Sequence, residues 1–324
     1  MLPFVIITHA LPATWLASLE GRCRVLVGPA DTSGFSPELL KHLSEAEGLF
    51  TLLVDRVDDS ILAQAPHLKV VSNMAVGVDN IDVAACTRRG IPVGNTPGVL
   101  TEGTADLAMA LLLSVARRIP EASRDARQGR WTTWSPTGWL GADLHGATLG
   151  IVGLGKFGKA VARRAAGFGL KLIYSDKGRC AEDEALNARF VPLEELLAQS
   201  DFISIHVPLT AETRGLFNES AFKRMKPNAI LINSARGPIV DTPALTRALT
   251  EGWIAAAGLD VTDPEPLPPD HALYRLPNCL IAPHIGSATQ GTRHLMAESA
   301  CANLLAGLEG KALPNCVNST VFAK

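Results

Sequence analysis

Thr148-Leu-Gly-Ile-Val-Gly153-Leu-Gly155-Lys-Phe-Gly158 is a short β-branched run that opens into GxGxxG and then into a helical pattern over residues 159–168. The glycine pattern gains its meaning from lying between a strand and a helix. In that setting Gly153 permits the tight turn, Gly155 lets the backbone approach a pyrophosphate, and Gly158 allows close helix packing, with the helix N-terminus facing the anion. The intervening Leu154, Lys156 and Phe157 belong to the same expected cofactor loop. The next predicted strand, residues 171–175, ends at Asp176, 23 residues after Gly153, close to the spacing of about 20 at which an acid meets the adenosine ribose of a dinucleotide. Its carboxylate would accept from a ribose 2′-hydroxyl and repel a 2′-phosphate, which favours NADH. Lys177 and Arg179 follow at once and offer a clamp for a phosphate, so NADPH stays open.

Working outward, strands predicted at 148–152, 171–175, 202–206, 229–233, 255–260 and 279–282 alternate with helical patterns. The same rhythm runs earlier through 4–8, 24–27, 49–54 and 69–72. That alternation predicts α/β architecture with parallel sheets covered by helices on both faces. A chain of 324 residues exceeds the roughly 250 to 300 at which a single core stops growing, so two doubly wound domains are expected. Residues 101–119 form a helix apolar nearly all round, which reads either as a buried core helix or as a subunit interface. Residues 290–308 have the spacing of an amphipathic helix, with Leu295, Met296, Leu304, Leu305 and Leu308 on one broad face. Periodicity does not say where that face packs.

Composition excludes several classes. Hydrophobic residues are 47% and charged residues 19% of the chain, the balance of a packed globular protein. With 30 Lys plus Arg against 32 Asp plus Glu and no basic stripe, nucleic acid is not an expected partner. The start, MLPFVIITHALP, has no positive region before its apolar run and meets Pro12 early, so it reads as a first strand rather than an export signal. The most apolar helical segment, 107–116, is about half the roughly 20 residues that a membrane span needs. Six scattered cysteines (Cys23, Cys86, Cys180, Cys279, Cys301, Cys316) suit reduced thiols in the cytoplasm and offer no zinc spacing. No metal site is expected, and the histidines at 9, 42, 67, 145, 271 and 294 fall in no ligand or dyad pattern.

Three later segments place reactive side chains just past strand ends. Asn233-Ser-Ala-Arg236-Gly-Pro-Ile-Val-Asp241 supplies an arginine, Gly258-Leu-Asp260-Val-Thr-Asp-Pro-Glu265-Pro supplies carboxylates, and Pro283-His284-Ile-Gly286-Ser287 supplies a histidine. Ligands of open α/β sheets bind outside these carboxyl ends. An anion clamp and a proton donor beside a nicotinamide are what reduction of a carbonyl requires.

VGLGKFG, NSARGPIVD, GLDVTDPEP and PHIGSAT, in that order and spacing, make the whole chain resemble the D-2-hydroxyacid dehydrogenase family. NMAVGVDNIDV, NTPGVLTEGTADL, PHIGSATQGTR and the ending GKALPNCVN resemble its glyoxylate/hydroxypyruvate and 2-ketogluconate reductase branch. The resemblance implies a Rossmann NAD(P)-binding domain over 99–285. This domain would be inserted in a discontinuous, flavodoxin-like substrate domain formed by 1–98 and 286–324. It also implies a homodimer with residues 101–119 in the interface, and reduction of small 2-oxo acids. Carried over residue by residue, His284 would be the general acid and Glu265 its hydrogen-bond partner, an arrangement that favours imidazolium. Arg236 would hold the substrate's carboxylate or carbonyl. Backbone N–H groups of Val76 and Gly77 would clasp the carboxylate. Asp260 would hold the nicotinamide carboxamide, and Ser234, Ala235, Gly286 and the run His206, Val207, Pro208 would pass near the cofactor. Ser287 and Trp139 resemble pocket-lining positions, and Trp139 is equally readable as interface packing.

Two alternatives stand beside this reading. One is another 2-oxo acid on the same catalytic frame. The other is a non-catalytic NAD-sensing interaction protein, against which the presence of Arg236, Glu265 and His284 argues. The resembling NADPH-using reductases have a small residue and then arginine where this chain has Asp176 and Lys177, which again points away from NADPH.

Overall fold

Val5-Ile6-Ile7 and the other central β-branched runs of the first hundred residues become strands covered on both faces, while β2 at the sheet edge stays largely exposed. β1 (Phe4–Ile7), β2 (Arg24–Val27), β3 (Gly48–Thr51), β4 (Val70–Asn73) and β5 (Val93–Gly94) alternate with α1 (Pro37–Lys41), α2 (Asp59–Gln64) and α3 (Val83–Arg88). The strands run parallel in the order β2-β1-β3-β4-β5, and β1, β3 and β4 are buried at every position, as a doubly covered sheet requires. Helix starts are set locally: Asp58 accepts from the N–H groups of Ser60 and Ile61, and Asp82 from that of Ala85. Both satisfy donors that a helix leaves without partners. The structure, a computed structural model, describes residues 1–32 and 34–323. Lys324, at the end of the expected 286–324 segment, lies outside the described residues.

The chain divides into two units, Met1–Leu100 with Ala288–Lys324, and Thr101–Ser287. The second contains α4 (Thr101–Ala116), α5 (Ile119–Arg127), β6 (Thr148–Val152), α6 (Lys156–Ala166), β7 (Lys171–Ser175), β8 (Ala188–Phe190), α7 (Leu193–Gln199), β9 (Phe202–Ile205), α8 (Glu219–Arg224), β10 (Ile230–Asn233), α9 (Thr242–Thr250), β11 (Ala256–Leu259) and β12 (Cys279–Ile281). All seven of its strands are parallel, in the order β12-β11-β10-β9-β6-β7-β8. Register aligns their ends: Val152 pairs with Ser175 and Ile205, and Leu259 with Asn233 and Ile281. Gly153, Asp176, His206, Ser234 and Asp260, each one residue past a strand, therefore share one carboxyl edge.

Two apolar layers sandwich this sheet. One gathers Leu111, Leu112 and Val115 of α4 with Val161 of α6 and Ile151 and Ile232 of the sheet. The other gathers Leu196, Phe222 and Leu245 with Ile203 and Leu231. α4 is thus a core helix of its own unit, which accounts for its apolar girth. Residues 101–119 do not form one helix, however. Arg118 takes a left-handed φ of +53° and Pro120 stands in the first turn of α5, so the expected element breaks in two. Helix α6 starts at Lys156 rather than 159, which puts Gly158 inside it. β5 and β8, two and three residues long, are too short to show any alternation in sequence.

α10 (Gln290–Leu308) belongs to the first unit. It lies close on the sheet: Ser72 Oγ donates to the Ala300 carbonyl at 2.7 Å, and a Cβ at Gly307 would fall 2.5 Å from Val70 Cβ. Leu304 is fully buried, but Leu295 is 49% exposed, so the broad face predicted for this helix is only partly covered.

Candidate active site

β6 leads into Gly153, whose φ of +94° is open to glycine without strain. A Cβ there would meet the His206 carbonyl carbon at 2.9 Å, so the turn after β6 presses against the end of β9. Gly155 caps α6 without a side-chain hydrogen bond, and nothing lies within 4 Å of where its Cβ would be. Gly158 is the opposite case, since its Cβ would sit 2.1 Å from the Gly153 carbonyl oxygen. The loop therefore combines open space with uncapped helix N–H groups, the arrangement that receives a pyrophosphate. Leu154 is buried, Lys156 is exposed and Phe157 is half-buried. The residues fit a dinucleotide.

Asp176, at the end of β7, is exposed, and both of its oxygens face the loop. Oδ2 accepts from the Leu154 N–H at 2.8 Å and Oδ1 from the Lys177 N–H at 2.7 Å. Of the neighbouring cations, Arg179 is tied to Asp183 and Glu184 and Lys159 to Glu182, while Lys177 stands exposed beside Asp176. His206 follows β9 with its Nε2 2.8 Å from Ser204 Oγ. As a residue it is half-buried, but its ring is desolvated enough that burial draws the pKa down to about 4, leaving a neutral imidazole near pH 7. Val207 packs on the core beside it, and the exposed Pro208 accepts through its carbonyl from Thr213 Oγ1 at 2.6 Å.

At the end of β10, Asn233 is a buried brace. Its Oδ1 accepts from the Ala235 N–H and its Nδ2 donates to the Arg236 carbonyl, fixing the turn from which Arg236 projects. Arg236 Nη1 donates to the Ala235 carbonyl at 2.7 Å. Ser234 Oγ is buried without a hydrogen-bond partner among the described residues, an orphaned polar atom beside the cofactor edge. Asp241, the last residue of that motif, caps α9 through the Ala244 N–H and is structural.

His284 Nδ1 and Glu265 Oε1 are 2.5 Å apart. Burial would raise the Glu265 carboxyl, but the His284 hydrogen bond and charge, the Thr262 N–H and the Arg236 charge outweigh it and hold it below the ordinary range. His284 itself has a left-handed φ of +53°, and the residue that holds it there is Asp260. The Asp260 carbonyl accepts from the His284 N–H at 2.9 Å, Oδ1 from Ile285 N–H at 2.7 Å and Oδ2 from Gly286 N–H at 2.8 Å. Asp260 is 2% exposed, and burial raises its pKa despite those hydrogen bonds and the His284 charge. Ser287 is half-buried. Arg236, Glu265, His284, Asp260 and the GxGxxG loop thus lie along one edge of one sheet.

The turn carrying Val76 and Gly77 belongs to the other unit. Its peptide carbonyls are each held: that of Ala75 by the Thr96 N–H at 2.9 Å, that of Val76 by Asn95 Nδ2 at 2.9 Å and that of Gly77 by Asn73 Nδ2 at 2.9 Å. Neither asparagine was singled out from sequence, although Asn73 opens NMAVGVDNIDV and Asn95 opens NTPGVLTEGTADL. Trp139 is 41% exposed, with φ +53° and the Arg118 guanidinium 4.9 Å over its ring. Among the described residues no group of three His, Cys, Asp or Glu side chains could hold a metal ion, and no helix is long and apolar enough to cross a membrane.

Residues 109–286 match the family model described as D-isomer specific 2-hydroxyacid dehydrogenase, NAD binding domain. The chain is 49% identical to a glyoxylate reductase of Thermococcus litoralis, over 99% of this chain and 98% of that one. Among solved structures, a protein from Thermus thermophilus superposes with a TM-score of 0.91 at 49% identity, covering 97% of this chain and 99% of that chain. An NADPH-dependent glyoxylate/hydroxypyruvate reductase from Sinorhizobium meliloti, in complex with NADP and malonate, gives 0.86 at 33% identity, covering 99% and 98%.

Proposed function

This chain belongs to the D-2-hydroxyacid dehydrogenase family, in its glyoxylate reductase branch, and from that premise we propose that it reduces glyoxylate to glycolate and hydroxypyruvate to the D-2-hydroxy acid with NADH. The observation that carries the mechanism is the 2.5 Å contact between His284 Nδ1 and Glu265 Oε1. An ionised Glu265 accepts a hydrogen bond from Nδ1–H and fixes the ring orientation, so the proton to be delivered is the second one, carried on Nε2 when the ring is doubly protonated. The reduced nicotinamide, when bound, supplies a hydride to C2 of the substrate. His284 protonates the carbonyl oxygen as negative charge develops there, and Arg236 stabilises that charge and the carboxylate with its planar donors. The N–H groups of Val76 and Gly77 are the proposed further carboxylate donors, and Ser287 and Trp139 the proposed pocket walls. Asp260 braces the His284 loop, and each of its oxygens keeps a second lone pair for the nicotinamide carboxamide. The loop from Gly153 to Gly158, with His206 to Pro208, Ser234, Ala235 and Gly286, forms the proposed cofactor bed.

The preference for NADH rests on Asp176. A 2′-phosphate would meet its carboxylate, and of the two cations that could answer it Arg179 is already engaged by Asp183 and Glu184, which leaves Lys177. The exposed Trp131, Trp134 and Leu140, at 75%, 79% and 66%, support a homodimer, which sedimentation velocity would read directly. The same reading carries a cytoplasmic setting, where thiols stay reduced. The deciding experiment follows reduced-nicotinamide absorbance with glyoxylate, hydroxypyruvate and pyruvate, each with NADH and NADPH. Oxidation of NADH by the first two is expected, and silence with every combination would sink the reading.

A further inference from the structure

Resting on the reading of Val76 and Gly77 as carboxylate donors, we infer that Asn95 and Asn73 are positioning residues for substrate binding, because they set the peptide planes of that turn. A trans peptide is rigid, and its N–H points opposite to its C=O. A side chain that holds one carbonyl therefore aims the N–H of the next residue. Thr96 N–H on the Ala75 carbonyl aims the Val76 N–H, Asn95 Nδ2 on the Val76 carbonyl aims the Gly77 N–H, and Asn73 Nδ2 on the Gly77 carbonyl aims the Val78 N–H. Among the described residues none of these three N–H groups donates to a protein acceptor. Three successive N–H groups of one turn are thus left as donors that an anion can use, and Val78 adds a third donor to the two inferred from sequence.

Both asparagines are tied into the fold beyond the turn. Asn73 is fully buried, and its Oδ1 accepts from Thr51 Oγ1 at 3.0 Å. Its Nδ2 also reaches Asn80 Oδ1 at 3.2 Å, and Asn80 Nδ2 in turn donates to the carbonyls of Leu52 and Asp55. The Asn95 carbonyl accepts from Nδ2 of Asn303 in α10 at 2.9 Å, and Asn303 Oδ1 accepts from the Asn315 N–H at 2.9 Å. Space for Asn303 exists because residue 94 is glycine: a Cβ there would fall 2.7 Å from Asn303 Cβ. A connected network of this kind favours one geometry, so the turn is preorganised before any carboxylate arrives.

The test is Asn95→Ala in the full chain, assayed with NADH and glyoxylate and with oxamate, an inert isostere of a 2-oxo acid. A hydrogen bond to a charged group sets the scale, and we expect the KM for glyoxylate and the Ki for oxamate to rise together about tenfold or more. The kcat, the KM for NADH and the thermal midpoint should stay close to those of the parent. In 15N-labelled parent protein with NADH, oxamate should move the Gly77 and Val78 amide resonances, and Asn95→Ala should weaken that response. Unchanged KM and Ki, a matching rise in the KM for NADH, or a Gly77 resonance that oxamate leaves in place would each overturn the proposal. Oxamate binding is read without turnover. A parent that shifts at Gly77 but reduces no 2-oxo acid would therefore refute the activity and leave the positioning role standing.

Discussion

His284 keeps a backbone conformation that costs a side-chain-bearing residue on the order of 1 kcal/mol, and three hydrogen bonds to Asp260 hold it there. Its replacement by alanine should leave NADH affinity in a fluorescence titration unchanged while turnover falls by about 10²- to 10⁴-fold. Retained turnover would mean that the proton comes from elsewhere. Asp176→Ala should raise the ratio of kcat/KM with NADPH to that with NADH, and an unchanged ratio would show that the ribose lies elsewhere. That Arg236, Glu265 and His284 stand past strand ends was legible in sequence, and the roles proposed for them come from the family motifs in which they sit. Asn73 and Asn95 were not singled out, because what they do depends on which carbonyl lies across the turn, and no spacing along the chain records that.

Among the elements, α6 shows how a glycine sets an angle. Gly158→Ala would force a Cβ to within 2.1 Å of the Gly153 carbonyl, so α6 must lift from the turn that presents its N–H groups. Loss of NADH binding by at least tenfold is expected in calorimetry, together with a lowered thermal midpoint. Binding at parental strength would show that the helix can shift without cost. The alternation of strand and helix was readable wherever a run was long enough to repeat. It failed where an apolar run was carried on past its end. The run stops at Ala116, two arginines follow it, and the left-handed backbone at Arg118, with Pro120 behind it, separates α4 from α5.

At the scale of the molecule, pH acts through groups whose folded environment differs from water. His206 has its pKa lowered from 6.5 to about 4. The folded state therefore binds fewer protons than the unfolded chain between those values. Its contribution to stability is complete above pH 6.5 and is lost as pH falls toward 4. Each tenfold change in proton affinity corresponds to about 1.4 kcal/mol, and allowance for a residue only half-buried puts the loss on the order of 2 kcal/mol. Denaturant unfolding of the parent should weaken over this range, and His206→Asn should flatten the slope; an equal slope in both would assign the effect to other groups. The path of the chain has a consequence for how the molecule is made. The sheet of residues 1–100 is closed by α10, whose Gly307 seats against Val70. During synthesis that sheet emerges before residues 101–287 yet lacks its cover until all of those have left the ribosome. The unit of residues 101–287 has all its strands in hand before then. The part made second is therefore the part able to finish first, and the earliest apolar strands are the ones a nascent-chain chaperone would need to shelter longest.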